Sequence, residues 1–268
     1  MSNLTDLISA GGGSASFPTI FLSKSQTWVP PQDGKIMIHV IGAGGGGAGY
    51  AGNSPRGGAA GGYSKKNTLA VTTSGSFVVV VGAHGDGRAG ASGTNGGNST
   101  VAGTGLSATL TANGGAGGGA TSGTPAGGTA SNGDVNNTGG AGHSLAGGGA
   151  VGLTGTGQQA TNYNSTYRAG SCDIIGDFWS STMGQLAGGK GPMAVRLEAN
   201  QFPPYPPQKS EPLAGGASLY TQTTSYGQVS GADGGIGGGG GQARNQNNAT
   251  GARGGDGGEG IVVIQYIP

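Results

Sequence analysis

The sequence has little charge and almost no cysteine, and each shortage excludes a class of protein. Charged residues make up 9% of the 268, and the formal net charge is +1. Because no strong electrostatic field draws the chain onto polyanions, we expect neither nucleic acid nor membrane insertion among its interactions. The single cysteine, Cys172, excludes an internal disulfide framework and any multi-cysteine metal site.

Long apolar runs are also missing. The longest purely apolar run is 77–81, far short of the roughly 20 residues that a transmembrane helix needs. Residues 1–15 have neither the basic start nor the apolar stretch of a secretory signal, so we expect no signal there. Helical periodicity is absent except at 193–200, where it suffices for one or two turns.

Glycine is what the sequence has in excess. It accounts for 66 of the 268 residues, where about 7% is usual, and such an excess is typical of disorder. Here, however, the glycine runs are framed by apolar segments that a disordered chain would not need. The predicted strands cover 35–41, 65–71, 76–81, 107–112 and 261–267. We therefore predict a folded glycine-rich domain.

Glycine is spread unevenly along the chain. Residues 158–230 contain 9 glycines in 73 residues, together with eight of the aromatic residues. This change of composition indicates an insertion in a glycine-rich framework. We predict three parts: an N-terminal tether or docking arm at 1–27, a glycine-rich β domain at 28–157 and 231–268, and the aromatic-rich insertion at 158–230.

Glycine runs lose more backbone entropy on folding than any other sequence, so they need many hydrogen bonds to stay ordered. A polyproline-II helix has three residues per turn and no internal hydrogen bonds, which leaves every N–H and C=O available to neighbours. Where glycine supplies the inward positions, such helices can approach closely enough to bond. The predicted fold class is all-β, with strands bracketing a stack of glycine-rich, polyproline-II-like rods.

One glycine pattern imitates a cofactor site. Gly42, Gly44 and Gly47 follow a predicted strand with the spacing of a dinucleotide-binding loop. That loop requires a helix directly after it and an acidic residue about 20 positions on. Asn53, Pro55 and more glycine follow instead, so we expect no nucleotide and no other cofactor.

The titratable residues show no catalytic or metal-binding pattern. His39, His84 and His143 are not spaced to share a metal, and no serine–histidine–aspartate set can be argued from their order. Two acidic pairs, at 173 and 177 and at 256 and 259, have too few ligands for a dedicated calcium loop. We expect no catalytic residues, no metal site and no enzymatic activity.

Specific motifs occur at the two ends of the glycine-rich domain and, in a fixed order, between them. They are Trp28-Val29-Pro30-Pro31 with the glycines of 42–47, Gly61-Gly62-Tyr63-Ser64, Val79-Val80-Val81-Gly82, Gly96-Gly97-Asn98-Ser99, Ala112-Asn113-Gly114-Gly115 and the closing GGDGGEGIVVIQY at 254–266. Over 28–157 and 231–268 this order resembles the glycine-rich domain of bacteriophage tail-fibre proteins. It is similar to the tail-fibre tip adhesins of T-even-like phages.

The resemblance implies a polyglycine II sandwich carried in the tail of a virion. It also implies other virion tail proteins as partners, and a bacterial surface glycan or outer-membrane protein as the receptor. Loops between the rods would touch that receptor, since selectivity needs varied side chains on tolerant segments. The candidate loops are 53–56, 121–138, 242–248 and the insertion.

Within the insertion, tyrosines are the candidate receptor-binding residues. A tyrosine ring stacks on a sugar or fills a cleft while its hydroxyl stays in water. The candidates are Tyr163, Tyr167, Tyr205, Tyr220 and Tyr226, whereas Phe178 and Trp179 are assigned to packing. An equally weighted reading gives the insertion a small satellite core, or a contact with a neighbouring protomer.

The N-terminal arm contains a short apolar patch. Phe17, Ile20, Phe21 and Leu22 would be exposed in an isolated arm, so we expect them to pack against another chain. Closed symmetric assembly is the general rule for oligomers, and phage fibres are commonly trimeric. We expect a homotrimer, or a single copy bound to a trimeric fibre.

The sequence leaves two alternative functions. The first is a tail-fibre or tail-tip protein that binds the host surface through loops on a glycine-rich scaffold. The alternative is a purely structural virion component, such as a baseplate, fibre-connector or capsid-decoration subunit. An ice-binding protein is disfavoured, because it would need a flat regular face and these glycine runs are irregular.

Overall fold

The computed structural model describes residues 18–50, 55–120, 123–143, 147–148, 156–157, 196–197, 219–221, 229–245 and 252–268. These residues form sixteen strands and no helix, which confirms the all-β prediction. The strands are β1 (Thr19–Leu22), β2 (Gln26–Trp28), β3 (Gly34–Ile41), β4 (Gly49–Tyr50), β5 (Tyr63–Val71), β6 (Phe77–Val80), β7 (Ser99–Gly103), β8 (Leu110–Ala112), β9 (Ala130–Ser131), β10 (Val135–Asn137), β11 (Arg196–Leu197), β12 (Leu219–Thr221), β13 (Val229–Ser230), β14 (Ala243–Asn245), β15 (Ala252–Arg253) and β16 (Ile261–Ile267).

Two five-stranded antiparallel sheets form one end of the molecule. Sheet A has the order β1-β16-β3-β5-β10, and sheet B has the order β2-β6-β7-β8-β9. The first and last long strands of the domain, β3 and β16, are neighbours and pair from Ile41–Ile261 to Lys35–Ile267. The chain therefore returns to its starting point after the glycine-rich region.

The apolar core lies between these two sheets. Side chains point alternately to the two faces of a strand, so one face of each sheet can be apolar. In β6, Phe77 and Val79 are buried on the inner face, and Val78 and Val80 are exposed on the outer face. Trp28 packs on Phe77 with ring centroids 5.5 Å apart. The buried members of this core come from both sheets: Leu22, Trp28, Ile36, Ile38, Val40, Leu69, Val71, Phe77, Val79, Val101, Leu110, Ala112, Val262, Ile264 and Tyr266.

A histidine is buried on the other face of sheet A. His39 and Tyr63 share a hydrogen bond of 2.7 Å between Nδ1 and the phenol oxygen, beside a smaller apolar cluster that includes Ile41 and Val263. Burial, with a smaller contribution from the positive charge of Lys65, lowers the pKa of His39 to about 3. Burial also raises the pKa of Tyr63.

The glycine-rich segments extend from the sheets and are joined by backbone hydrogen bonds. In the central segment, residues 42–48, the donors repeat with a period of three. Gly42, Gly45 and Ala48 each donate an N–H to a carbonyl of 56–62, at 2.9 Å. The intervening donors follow the same period: Ala43 and Gly46 bond to Gly97 and Thr94, and Gly44 and Gly47 bond to Gly258 and Gly255.

The carbonyls of the central segment accept hydrogen bonds with the same three-residue period, from three other segments. They accept from Gly85 and Arg88, from Gly115 and Gly118, and from Gly240 and Ala243, at 2.8–3.2 Å. Six ring segments therefore surround the central one, in the order 56–62, 113–119, 91–97, 82–88, 254–260 and 238–243. Each also bonds to its neighbour: Ala59 to Ala116, Gly96 to Gly115, Gly97 to Ala83, Gly257 to Gly85, Gly258 to Gly238 and Gly58 to Gly240.

This packing explains the glycine content. A Cβ added at Gly45 or Gly239 would lie under 3.0 Å from the backbone of Ala116 or Gly58, closer than real Cβ atoms approach. The same holds for most described glycines of the segments. Backbone groups, in place of apolar side chains, therefore fill the interior of this half of the molecule.

The structure differs from the sequence predictions at several elements. Strands β1 and β2 lie in the stretch assigned to the N-terminal arm, because their alternating side chains complete the edges of the two sheets. Within 193–200, where a helical turn was conceivable, only β11 is described, and it is extended. One element agrees with the sequence analysis: no helix directly follows the GxGxxG-like motif of 42–47, which uses its N–H groups to bond neighbouring segments and continues into β4.

We predict that Gly239→Ala lowers the free energy of unfolding by several kcal/mol, well above the roughly 1 kcal/mol typical of point mutants, because its Cβ would displace backbone. Gly34→Ala is the matched control, since its Cβ would meet only the Tyr266 ring, at 3.3 Å. Urea unfolding of both variants measures the difference. Equal, small losses for the two would mean that the 239 position is not tightly packed.

A second prediction concerns acid. The pKa of His39 in the folded protein lies below its value of about 6.5 in the unfolded chain. The contribution of the buried neutral imidazole to the free energy of unfolding is therefore fully present above pH 6.5 and is lost as the pH falls toward 3. Between pH 7 and pH 5 wild type should lose about 2 kcal/mol more stability than His39→Gln, which cannot titrate. Urea unfolding at the two pH values measures this, and identical losses would show that His39 is not buried as a neutral ring.

Candidate functional site at the distal end of the glycine segments

The glycine segments have two different ends. At the proximal end they continue directly into strands, as Ile41 does into Gly42 and Gly260 into Ile261. At the opposite end, here the distal end, the chain reverses. The described residues of the distal end are 48–50, 55–57, 88–92, 119–120, 243–245 and 252–254.

Backbone bonds to the last residues of the central segment hold the distal end together. Ala48 donates to the carbonyl of Arg56 at 2.9 Å and accepts from the N–H of Ala243 at 3.0 Å. Gly49 donates to the carbonyl of Ala91 at 3.3 Å. Short parallel pairs add to this, with β14 between β4 and β12, and β13 beside β15. Positions distant in sequence are thereby brought to one surface.

Arginines gather at this surface. Arg56, Arg88, Arg244 and Arg253 are the four arginines whose side chains the structure describes, and all lie at the distal end. The four described lysines lie elsewhere, in β3, in β5 and between β1 and β2. Arg88 and Arg253 are exposed, whereas Arg56 and Arg244 are half-buried. The distal end therefore carries guanidinium groups on an otherwise weakly charged chain.

Other groups at the distal end define its chemistry further. The guanidinium Nη2 of Arg253 donates to Oδ1 of Asp256 at 2.8 Å. Arg56 lowers the pKa of His143, although burial of the imidazole is the larger cause. Tyr50, half-buried, ends the central region and stands in register with Arg244. The surface thus offers cationic donors beside an aromatic ring.

The long sides of the glycine region are closed by polar side chains with the same three-residue spacing. Asn98, Asn95 and Ser92 of one edge accept hydrogen bonds from the N–H groups of Gly114, Gly117 and Ala120, at 2.8–3.0 Å. We call these side chains the amide ladder. They satisfy donors that would otherwise be open to another molecule.

A second ladder is acidic and consists of Asp256 and Glu259. Asp256 accepts the N–H of Gly87 at 2.7 Å, and Glu259 accepts the N–H of His84 at 3.0 Å. Glu259 also contacts the imidazole Nδ1 of His84 at 2.6 Å, and this hydrogen bond is the main cause that raises the pKa of His84. The two carboxylates thus bind protein donors. Among the described residues, no group of three or more histidine, cysteine, aspartate or glutamate side chains is arranged to hold a metal.

Most sequence-predicted receptor-binding residues lie outside the described part of the chain. This applies to Tyr163, Tyr167, Tyr205 and Tyr226, and of Tyr220 only the backbone, in β12, is described. The residues flanking the candidate loops 53–56 and 242–248 lie at the distal end. The candidate loop 121–138 differs from the prediction, because it contains β9 and β10 and so runs back into the sheets.

The structure separates the described residues of the apolar patch predicted for assembly. Leu22 is buried and Ile20 partly buried in the chain's own core, because alternate residues of β1 face sheet B. Phe21 points to the opposite side of β1 and is 41% exposed. Phe17 lies outside the described residues.

Sequence reasoning did not single out the arginines, although the candidate loops 53–56 and 242–248 contain Arg56 and Arg244. Their signal was present, since Arg56, Arg88 and Arg253 each border a glycine directly. The ring order of the segments, which brings these positions together, does not follow the order of the sequence.

The described residues include no helix that is long and apolar enough to cross a membrane.

A comparison against known families matches nearly the whole chain. The glycine-rich domain family matches residues 21–267, from β1 to the end of β16. The chain belongs to the glycine-rich domain family. No curated protein matches the sequence.

The acidic ladder yields a prediction. Glu259→Gln removes the strongest interaction of the His84 imidazole, so the pKa of His84 should fall toward its ordinary value of about 6.5. Proton NMR titration of the imidazole measures this, with His143 as the internal reference. A pKa of His84 that does not move would mean that the carboxylate contact is absent in solution.

Proposed function

We propose that the glycine segments are polyglycine II rods that support a binding surface. The observation that supports the rods is the three-residue period of the backbone bonds, which is the number of residues per turn of a polyproline-II helix. The ring of six neighbours around the central segment fits such helices, whose N–H and C=O groups point sideways in three directions. A rigid scaffold of this kind fixes the distances between loops at its distal end.

We further propose that the chain is a phage tail-fibre or tail-tip protein of the virion, and that it binds the bacterial host surface through these loops. The distal end carries the proposal, because it joins exposed arginines, Tyr50 and the borders of loops rich in amide and hydroxyl residues. The stretches 51–54 and 246–251 contain Asn, Ser, Gln and Thr and no acidic residue. Such groups suit a glycan or an outer-membrane protein, and the role is recognition without catalysis.

The aromatic-rich insertion belongs to the same surface in this proposal. Its last described residues, in β13, pair with β15 at the distal end, and β12 pairs with β14 there. Tyr163, Tyr167, Tyr205, Tyr220 and Tyr226 would add stacking surfaces for a receptor. Attachment to other tail proteins falls to the N-terminal arm, with a homotrimer or a trimeric fibre as the assembly.

A purely structural virion component is the second candidate. The observation that favours it is apolar surface on the sheets, far from the arginines. Val78 and Val80 are 56% and 41% exposed on the outer face of β6, and Val29 is 52% exposed. Apolar surface of this kind is typical of contacts between proteins.

The test is binding of the purified, fluorescently labelled protein to a panel of bacteria. The tyrosines are replaced by alanine in groups, Tyr163 with Tyr167, Tyr205 alone, and Tyr220 with Tyr226, and Tm is recorded in parallel. Gln26→Ala with Thr27→Ala, on exposed positions of β2, is the control. We expect at least one tyrosine group to reduce cell binding about tenfold or more with little change in Tm, because stacked aromatics dominate interfaces.

Two results would count against the adhesin proposal. Wild type that binds no strain of the panel would favour the structural component. Retained cell binding by every tyrosine group would exclude these tyrosines as the receptor contact, and failure of the same variants to enter virions would assign the insertion to assembly, as the structural alternative requires.

A further inference from the structure

The four arginines whose side chains are described occupy consecutive positions around the central segment. The ring segments 82–88, 254–260, 238–243 and 56–62 follow one another around 42–48, and each has one arginine at its distal end. The other two ring segments end in small residues, Ala91 and Ala120. The arginines therefore form an arc on one side of the distal end, here called the arginine arc.

Backbone bonds fix the neighbours within the arc. The carbonyl of Arg88 accepts the N–H of Gly254 at 3.1 Å, and Ala89 forms a β-bridge with Arg253. At the other end of the arc, Ala48 bonds to both Arg56 and Ala243, so the backbones at 56 and 244 flank the same residue. In between, Gly255 donates to Gly241 at 2.8 Å and joins the segments of Arg253 and Arg244.

Three acidic residues lie near the arc: Asp86, two residues from Arg88, Asp256, bonded to Arg253, and Asp233, whose Oδ1 accepts the N–H of Asp256 at 2.8 Å. The distal-end residues 48–50, 55–57, 88–92, 119–120, 243–245 and 252–254 contain no acidic residue. The short stretches 51–54, 121–122, 144–146 and 246–251 contain none either. Residues 158–230 contain four basic and four acidic residues, which leaves their formal charge at zero. The net charge of +1 thus conceals a local concentration of guanidinium groups.

Arginine is the suitable residue for planar anions. Its guanidinium stays charged and presents donors in a fork that matches a carboxylate or a phosphate, whereas lysine is a point charge. All described lysines lie away from the distal end, so the arc is not a general basic surface. Tyr50 stands in register with Arg244 and adds a ring of the kind that packs on sugars.

We propose that the arginine arc binds the carboxylate or phosphate groups of an anionic bacterial surface polysaccharide. The inference rests on the proposed host-binding function and specifies its ligand. Arg88 and Arg253, the exposed pair, contact the anion, and Tyr50 lies against the neighbouring sugar. A nucleic acid fits less well, because duplex binding requires an extended basic surface and the sheets carry mixed charge.

The experiment measures binding of purified protein to immobilised polysaccharides by surface plasmon resonance. Polygalacturonate supplies carboxylates, phosphorylated lipopolysaccharide supplies phosphates, dextran is the neutral control, and double-stranded DNA tests the alternative polyanion. The variants are Arg88→Gln with Arg253→Gln, the charge-retaining Arg88→Lys with Arg253→Lys, and the control Lys24→Gln with Lys35→Gln. The control removes the same formal charge from exposed positions outside the arc.

We expect wild type to bind at least one of the two anionic polysaccharides and neither dextran nor DNA, with affinity that falls as salt rises. The double glutamine variant should bind about tenfold or more weakly, because two charge-assisted hydrogen-bonding groups are lost. The double lysine variant should fall between the two, and the lysine control should bind like wild type. Preference for carboxylate or for phosphate identifies the anion.

Several outcomes would overturn the inference. Equal weakening by the Lys24 and Lys35 control would mean unspecific attraction, and equal binding of DNA would favour a general polyanion surface. If the double glutamine variant unfolds because the contact with Asp256 is lost, Arg88→Gln alone replaces it, and unchanged affinity there would refute the site. Wild type that binds bacteria undiminished by the arginine substitutions would contradict the arc but preserve the proposed function.

Discussion

The structure depends on backbone hydrogen bonds between segments that have almost no side chains. In the central segment each N–H from Gly42 to Ala48 finds a carbonyl on one of three neighbours, and the carbonyls from Ala43 to Ala48 accept from three others. This satisfies polar groups whose burial without partners would be costly. The apolar core between the two sheets is separate, and it holds the ends of the segments in place.

The same interaction determines where varied side chains can occur. At most glycines of the segments an added Cβ would collide with backbone, and the other buried residues there are small, such as Ala43 and Ala48, so the interior has no functional side chains of this kind. On the long sides the amide ladder and the acidic ladder use their polar atoms to close the edges. Within the described part of the glycine region, the arginines stand at the distal end, outside the interior and outside both ladders, which is why they are informative.

The long strands could be predicted from the sequence, but of the candidate site only the loops 53–56 and 242–248 could. Strand β16 has the predicted bounds, and β3 and β5 begin one or two residues early. Strands β16 and β3 are rich in isoleucine and valine, which favour strands, whereas β5 is predicted from its position between glycine and Thr-Thr-Ser-Gly. Strands such as β4 and β15 have only two residues and no pattern of their own, since neighbouring segments position them. The arginine arc depends on the order of segments around the ring, and no local pattern encodes which distant segments become neighbours.

The three-residue period has a consequence for how such a chain can change length. In a helix with three residues per turn, each residue is rotated by about 120° from the last. One residue inserted within 42–48 would therefore turn every later N–H from its own partner segment toward another. Insertions within the segments preserve this bonding pattern only in multiples of three. The rule applies to the segments alone, so it places no limit on the number of residues that join one segment to the next at the distal end.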